Sequence, residues 1–234
     1  MRYRIKGMIS SILILGAFGG ARADREAIAR ANVELKIRGY AKAAGVTFPP
    51  HQILLRVFKE EMKMEVWGGN SATSELKRLV RYQVLAASGT IGPKRREGDM
   101  QVPEGWYSVS QFNPNSAYHL SLGLNYPNAS DRHFATAKDP GKDIFIHGNH
   151  VSAGCLAMGD PAIEEIYTLA RMSKNKVQVL ILPAKTLPPA IANPNHQRFW
   201  SQLYAIDSAF IQNRVLPSIT IDSNGRYTVR QNNL

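Results

Sequence analysis

The chain has 234 residues, 44% of them apolar and 20% charged, with a formal net charge of +11. That balance excludes a disordered segment and suits one globular domain with a full core and some decoration. The basic excess favours polyanionic surroundings, of which nucleic acid, an anionic membrane face and a cell-wall polymer are the classes to weigh.

In chain order, Arg2, Arg4 and Lys6 precede an apolar run from Met8 to Phe18 and then Ala21-Arg22-Ala23. This is the layout of a secretory signal peptide over residues 1–23, with cleavage expected after Ala23. A single transmembrane anchor is the rival reading, but the run falls short of the about 20 residues that cross a bilayer. Residues 1–23 carry four basic and no acidic side chains, so their loss lowers the formal charge from +11 to +7. The exported chain stays basic, and export makes nucleic acid the least fitting partner. Export also changes how Cys155 reads, since it is the sole cysteine and has no partner for an intramolecular disulfide. Its thiol is an inert core group, is paired to another molecule, or is kept because a thiolate is needed.

A helix and linker are expected over residues 24–50, where Val33, Ile37, Tyr40 and Ala44 repeat at helical spacing. Period two follows, first in Ile53 to Phe58 and then in Met62, Met64 and Val66, which reads as a hairpin. Val80, Tyr82, Val84 and Ala86 extend the alternation to Ser88-Gly89. A polar loop from Gly92 to Asp99 leads to the aromatic strand Trp106 to Val109. Further strands are expected at His119 to Leu124, Asp143 to His147 and Lys176 to Leu182. Two more helices are legible. One opens at Asp160-Pro161, with Asp160 as the natural N-cap, and buries Ile163, Ile166, Tyr167 and Ala170; the other carries Phe199, Leu203, Ile206 and Phe210. The Pro183 to Pro194 stretch between them is an extended connector, and Ser223-Asn224-Gly225 turns a closing hairpin from Ile219–Asp222 to Arg226–Arg230. Strands dominate the middle and helices flank it, so the class is α+β with a strand-rich core.

The chemistry concentrates in Ile144-Phe145-Ile146-His147-Gly148-Asn149-His150-Val151-Ser152-Ala153-Gly154-Cys155. A buried-looking strand delivers His147 to its end, and a short Gly-containing loop returns Cys155 toward it. A thiol attacks only as thiolate, so an adjacent imidazole is the group it needs. The N–H groups of Gly154 and Cys155 are candidate oxyanion donors, and the Gly148 carbonyl is a candidate for fixing the tautomer of His147. By spacing alone a satisfied core histidine and an inert thiol remain open. His147, His150 and Cys155 are also possible zinc ligands, but no second cysteine and no carboxylate before Asp160 completes a set, so neither a metal nor another cofactor is expected.

His147-Gly148-Asn149 followed by Ser152-Ala153-Gly154-Cys155 resembles the His-Gly and Ser-x-Gly-Cys signature of the YkuD-type L,D-transpeptidase family. The resemblance extends to its YafK/DpaA-like branch through Gly92-Pro93-Lys94 with Arg96 to Asp99, Gln101 to Tyr107, Asn113 to Ser116 with Tyr118 to Ser121, Asn125 to Ala129 with Asp131-Arg132, and Phe199-Trp200. It implies an α+β, strand-rich catalytic domain with a β-sandwich-like core over residues 51–185, with 186–234 a helix and hairpin packed on it. It implies a periplasmic enzyme whose partners are peptidoglycan stem peptides containing meso-diaminopimelate. Cys155 would attack the carbonyl of that residue, expel the terminal D-alanine, and pass the thioester to an amine, as in crosslinking or lipoprotein attachment. Transfer to water is the alternative, giving an amidase that trims stems or detaches lipoprotein. Tyr118, His119, Asn149, Ser152 and Arg132 are the expected substrate contacts. Where the wider family has arginine two residues after the cysteine, this chain has Ala157, and Arg132, Lys94, Arg95 and Arg96 are candidates to take over its charge. That departure motivates a reading of another class, a wall-binding protein with a decayed site.

Overall fold

The computed structural model describes residues 24–189 and 194–230, so the expected signal peptide lies outside the described residues. Helix α1 (Arg25–Ala43) is capped by the Asp24 carboxylate, which accepts from the N–H groups of Glu26 and Ala27, and it buries Ala29, Val33, Ile37 and Ala41 along one stripe. Strands β1 (Gln52–Phe58) and β2 (Lys63–Gly69) form the expected hairpin, and β3 (Lys77–Gln83) pairs with its outer side. The alternation expected to run through Ala86 breaks after Gln83. Ala86–Ala87 is a separate short strand, β4, which joins the far edge of the sheet.

The remaining elements are β5 (Gly105–Asn113), β6 (Ser121–Leu124), α2 (Ala129–His133), β7 (Phe145–His147), β8 (Leu156–Ala157), α3 (Asp160–Met172), β9 (Gln178–Leu182), α4 (Pro194–Asn213), β10 (Ser218–Ile221) and β11 (Tyr227–Arg230). Nine strands form one sheet in the order β3-β2-β1-β9-β5-β6-β7-β8-β4, and β10 and β11 pair separately. Strand β5 joins the two halves: Gly105 to Ser108 pair with β9, and Val109 to Asn113 pair with β6 across a register shift between Val109 and Gln111. An irregularity of this kind bends a strand and increases its twist, which lets the sheet curl around a core.

Period two decides which helix meets which face. In β1, Ile53, Leu55 and Val57 share a core with α1, α3, Leu120, Leu122 and Ile146, whereas Leu54 and Phe58 join Leu180, Leu182 and the α4 residues Phe199, Trp200, Leu203, Ile206 and Phe210. A strand covered on both faces is buried along its length, as β1 is throughout and β9 is from Val179 to Leu182. The α4 helix therefore covers a face of the sheet, over a second apolar cluster distinct from the one that includes α1 and α3.

Two expectations about element ends are corrected. Strand β6 starts at Ser121, because His119 has φ +70° and cannot continue a strand. The N-cap of α3 is Gly159, with no side-chain cap, and Asp160 is already helical. Its carboxylate is free to serve a neighbouring loop.

Candidate active site

Strands β7 and β8 are parallel neighbours, with Ile146 opposite Leu156 and His147 opposite Ala157. The loop from Gly148 to Cys155 therefore doubles back, and Cys155 enters beside Phe145 while His147 sits one pleat further along. The Cys155 Sγ accepts from the Phe145 N–H at 3.4 Å and donates to the Asp143 carbonyl at 3.7 Å. Among the described residues, His147 is not a hydrogen-bond partner of this thiol. Burial pushes the thiol up from its ordinary range and Asp143 adds to that, while the Phe145 N–H and the Lys94 charge pull the other way.

The His147 ring is 2% exposed, and its Nδ1 lies 2.6 Å from the Gly148 carbonyl. A carbonyl only accepts, so Nδ1 carries the proton and Nε2 holds the lone pair. Burial pulls the imidazole below its ordinary value, with the Gly148 carbonyl opposing. The Tyr118 ring lies against it, centroids 4.7 Å apart and planes 31° from parallel. A Cβ at Gly148 would meet Asp160 Oδ1 at 2.5 Å and the Tyr118 carbonyl at 2.7 Å, so only glycine fits between them.

The loop is braced at every turn. Asn149, at φ +59°, gives its N–H to Asp160 Oδ1 at 2.8 Å, and its side-chain oxygen accepts from the His150 N–H. Ser152 Oγ donates to the Cys155 carbonyl at 2.6 Å, and Ser88 Oγ accepts the Gly154 N–H at 2.6 Å. Ser88 in turn donates to the Met100 carbonyl at 2.7 Å. Of the two expected oxyanion donors, the Gly154 N–H is held by Ser88 Oγ, whereas the Cys155 N–H has no such side-chain partner among the described residues. Asn149 and Ser152, two of the expected substrate contacts, hold the loop through these bonds.

The other expected contacts separate. Tyr118 is 43% exposed beside the base, at the mouth of the site. His119 turns away to α3, its Nε2 2.8 Å from Glu164 Oε1. Exposed Arg132 donates to the Pro127 carbonyl in α2's approach. Of the cations considered for the missing arginine, Arg95 lies over the rings of Phe134 and Phe199. Buried Lys94 is the one whose charge bears on Cys155, and its Nζ pairs with Asp99 Oδ1 at 2.6 Å and the Arg96 carbonyl at 2.9 Å. Ala157 is fully buried opposite Ala86, so this position has no room for a long cation. His150 is exposed, and no cluster of three His, Cys, Asp or Glu side chains among the described residues is placed to hold a metal ion.

Sequence reading missed Ser88, Asp160 and Glu164 as partners of this site. Ser88 directly follows β4, and the pairing of β4 with β8 brings it to Gly154. No local spacing could have announced that contact.

The sequence model of the YkuD family, described as the L,D-transpeptidase catalytic domain, matches residues 54–179. YafK of Escherichia coli (strain K12), an L,D-transpeptidase by name, is 34% identical over 186 residues, 76% of this chain and 73% of that protein. The same figures hold for YafK of Escherichia coli O157:H7. Among solved structures, the helical cell shape determining protein Pgp2 from Campylobacter jejuni superposes with a TM-score of 0.48 at 18% identity, covering 76% of this chain and 64% of Pgp2. Bd1075 of Bdellovibrio bacteriovorus gives 0.43 at 20% identity, covering 71% and 59%. This chain thus spans less than two thirds of either solved protein.

Proposed function

This chain belongs to the YkuD L,D-transpeptidase catalytic-domain family, whose members are enzymes that modify peptidoglycan, and from that premise we propose a cysteine acyltransferase. Its substrates are stem peptides, Cys155 is the nucleophile and His147 the base. The observation that carries the reading is the tautomer: with Nδ1 held by the Gly148 carbonyl, Nε2 is an open proton acceptor at the end of the strand beside the cysteine.

A raised thiol and a lowered imidazole disfavour a resting thiolate–imidazolium pair. The neutral pair waits, and proton transfer accompanies attack as general-base catalysis. Rotation about the Cys155 Cα–Cβ bond takes the thiol from the Asp143 carbonyl toward Nε2. Sulfur then bonds to the carbonyl carbon of the meso-diaminopimelate residue, and the Cys155 N–H faces the oxyanion. Collapse breaks the bond to D-alanine, whose amine takes the proton from His147. The thioester next acylates an amine or water, and the proton returns by the same imidazole. The chain acts outside the cytoplasm after export by residues 1–23. Among the described residues no helix is long and apolar enough to cross a membrane.

Transfer to an amine, giving crosslinks or lipoprotein attachment, is the primary reading. Hydrolysis shares the same acyl-enzyme and differs only in the acceptor. Mass spectrometry of sacculi digested after incubation with the enzyme, with and without attached lipoprotein, separates them. Crosslinked or exchanged stems that vanish with Cys155→Ala support transfer. Tripeptide stems or freed lipoprotein assign hydrolysis, and unchanged digests leave a wall-binding protein.

A further inference from the structure

The turn that carries Tyr118 is held from outside the segment matched by the family. Arg25, in the first turn of α1, donates through one guanidinium nitrogen to the Ser116 carbonyl at 3.0 Å and the His119 carbonyl at 3.2 Å. The turn closes on itself through the Tyr118 N–H to Ser116 Oγ at 3.1 Å. Beyond it, His119 is fixed by Glu164, whose other oxygen accepts from Asn32 of α1 at 3.1 Å. The same turn touches the base's support, since the Gly148 N–H donates to the Leu120 carbonyl at 3.2 Å and Gly148 packs against the Tyr118 carbonyl.

We propose that Arg25 is a positioning residue: it clamps the Ser116–His119 turn so that Tyr118 stays against the His147 ring and keeps the base in place. The inference rests on the Cys155–His147 reading. His119 sits at φ +70°, a conformation that a side-chain-bearing residue holds only when its surroundings impose it. The guanidinium supplies that restraint with two hydrogen bonds to carbonyls, which a charged donor strengthens. A neighbouring contact provides the control. Glu26 accepts from Arg171 Nε at 3.0 Å and Tyr167 OH at 3.1 Å, docking the same helical turn on α3 without touching the Tyr118 turn.

The test is steady-state turnover of stem peptides by the full chain across pH, with thermal melts, for Arg25→Ala, Arg25→Lys, Glu26→Gln, Tyr118→Ala, Arg25→Ala with Tyr118→Ala, and His147→Ala. Arg25→Ala is expected to lower kcat about tenfold or more, since small misplacements of a catalytic group cost factors up to roughly a hundred. KM should stay within about twofold, and the acid limb of the pH profile should rise toward the ordinary imidazole value as Tyr118 uncovers the ring. Arg25→Lys should recover part of the rate, Glu26→Gln should keep it, and the double variant should be no slower than Tyr118→Ala alone. Unchanged kcat and acid limb in Arg25→Ala would overturn the clamp, as would an equal loss in Glu26→Gln. If His147→Ala abolishes turnover while Arg25→Ala leaves kcat and the acid limb unchanged, the dyad stands and the clamp falls. If His147→Ala turns over normally, both fall.

Discussion

The site works through single hydrogen bonds whose donors and acceptors are fixed by what each neighbour can do. The Gly148 carbonyl forces the proton onto His147 Nδ1, and burial then keeps the ring neutral. For an imidazole whose folded value is depressed, the active neutral form is lost only when pH falls below the ordinary value of about 6.5. The acid limb of kcat/KM is therefore expected below that value. Alkylation of Cys155 in the free enzyme should instead keep climbing through and past the ordinary thiol range, because burial raises the thiol. A flat alkylation profile from pH 6 upward would reveal a preformed thiolate and contradict the neutral pair. Ser88 makes a second residue-scale prediction. Ser88→Ala removes the acceptor of the Gly154 N–H and of the Ser152 hydroxyl but keeps the Ser88 N–H bond to Ser152 Oγ, so turnover should fall about tenfold with melting little changed, because a net hydrogen bond contributes about 1 kcal/mol to stability. At this scale the sequence announced His147, Gly148 and Cys155 by motif. It could not show that His119 meets Glu164, that Ser152 meets the Cys155 carbonyl or that the Gly154 N–H meets Ser88, because these are contacts that the fold creates.

At the scale of elements, short pieces carry more than their length suggests. Helix α2 has five residues and is held by a capping box, in which Asn128 accepts from the Asp131 N–H and Asp131 accepts from the Asn128 N–H. Asp131 is 1% exposed, also accepts from Tyr107 OH at 3.0 Å, and is pushed by burial up to about 6. Between the ordinary carboxylate value, about 3.9, and that raised value the folded state holds the extra proton, so this group's contribution to stability falls as pH rises through the window. Asp131→Asn removes the titration but keeps an acceptor for the cap. Thermal melts should show the gap between variant and parent moving in the variant's favour from pH 4 to pH 7.5, and a gap that does not move would refute the assignment. The sequence revealed the long elements through their periods, including the stripes of α1 and α3. It missed α2, and it merged β4 with β3, because two-residue strands and one-turn helices have no period of their own. The Asp160 misreading has a similar origin: a good capping residue beside a proline is a local signal, and the Asn149 N–H claims it from outside the helix.

Across the whole molecule, the curled sheet is enclosed from two sides, and the C-terminal α4 is part of the enclosure. Arg56 of β1 pairs with Asp207 of α4 through two bonds of 2.6 and 2.7 Å and with Glu65 of β2 at 3.1 Å, all three groups buried. Removing one member leaves a buried guanidinium short of charge, so Asp207→Ala should cost about 3 kcal/mol in urea unfolding. A loss within about 0.5 kcal/mol would show that α4 docks by apolar contact alone. The α+β class and the strand-rich centre were legible from alternation. The crossover that inserts β9 between β1 and β5 was not, since pairing partners far apart in sequence leave no mark on local pattern. The central claim, an acyl-enzyme on Cys155 formed with His147 as base, is tested most directly by intact-protein mass spectrometry after brief incubation with a disaccharide tetrapeptide. The parent chain is expected to gain the mass of the disaccharide tetrapeptide less one molecule of alanine, Cys155→Ala to gain nothing, and His147→Ala to gain it far more slowly. Turnover of the same substrate by Cys155→Ala, or adduct formation in His147→Ala at the parent rate, would contradict the account.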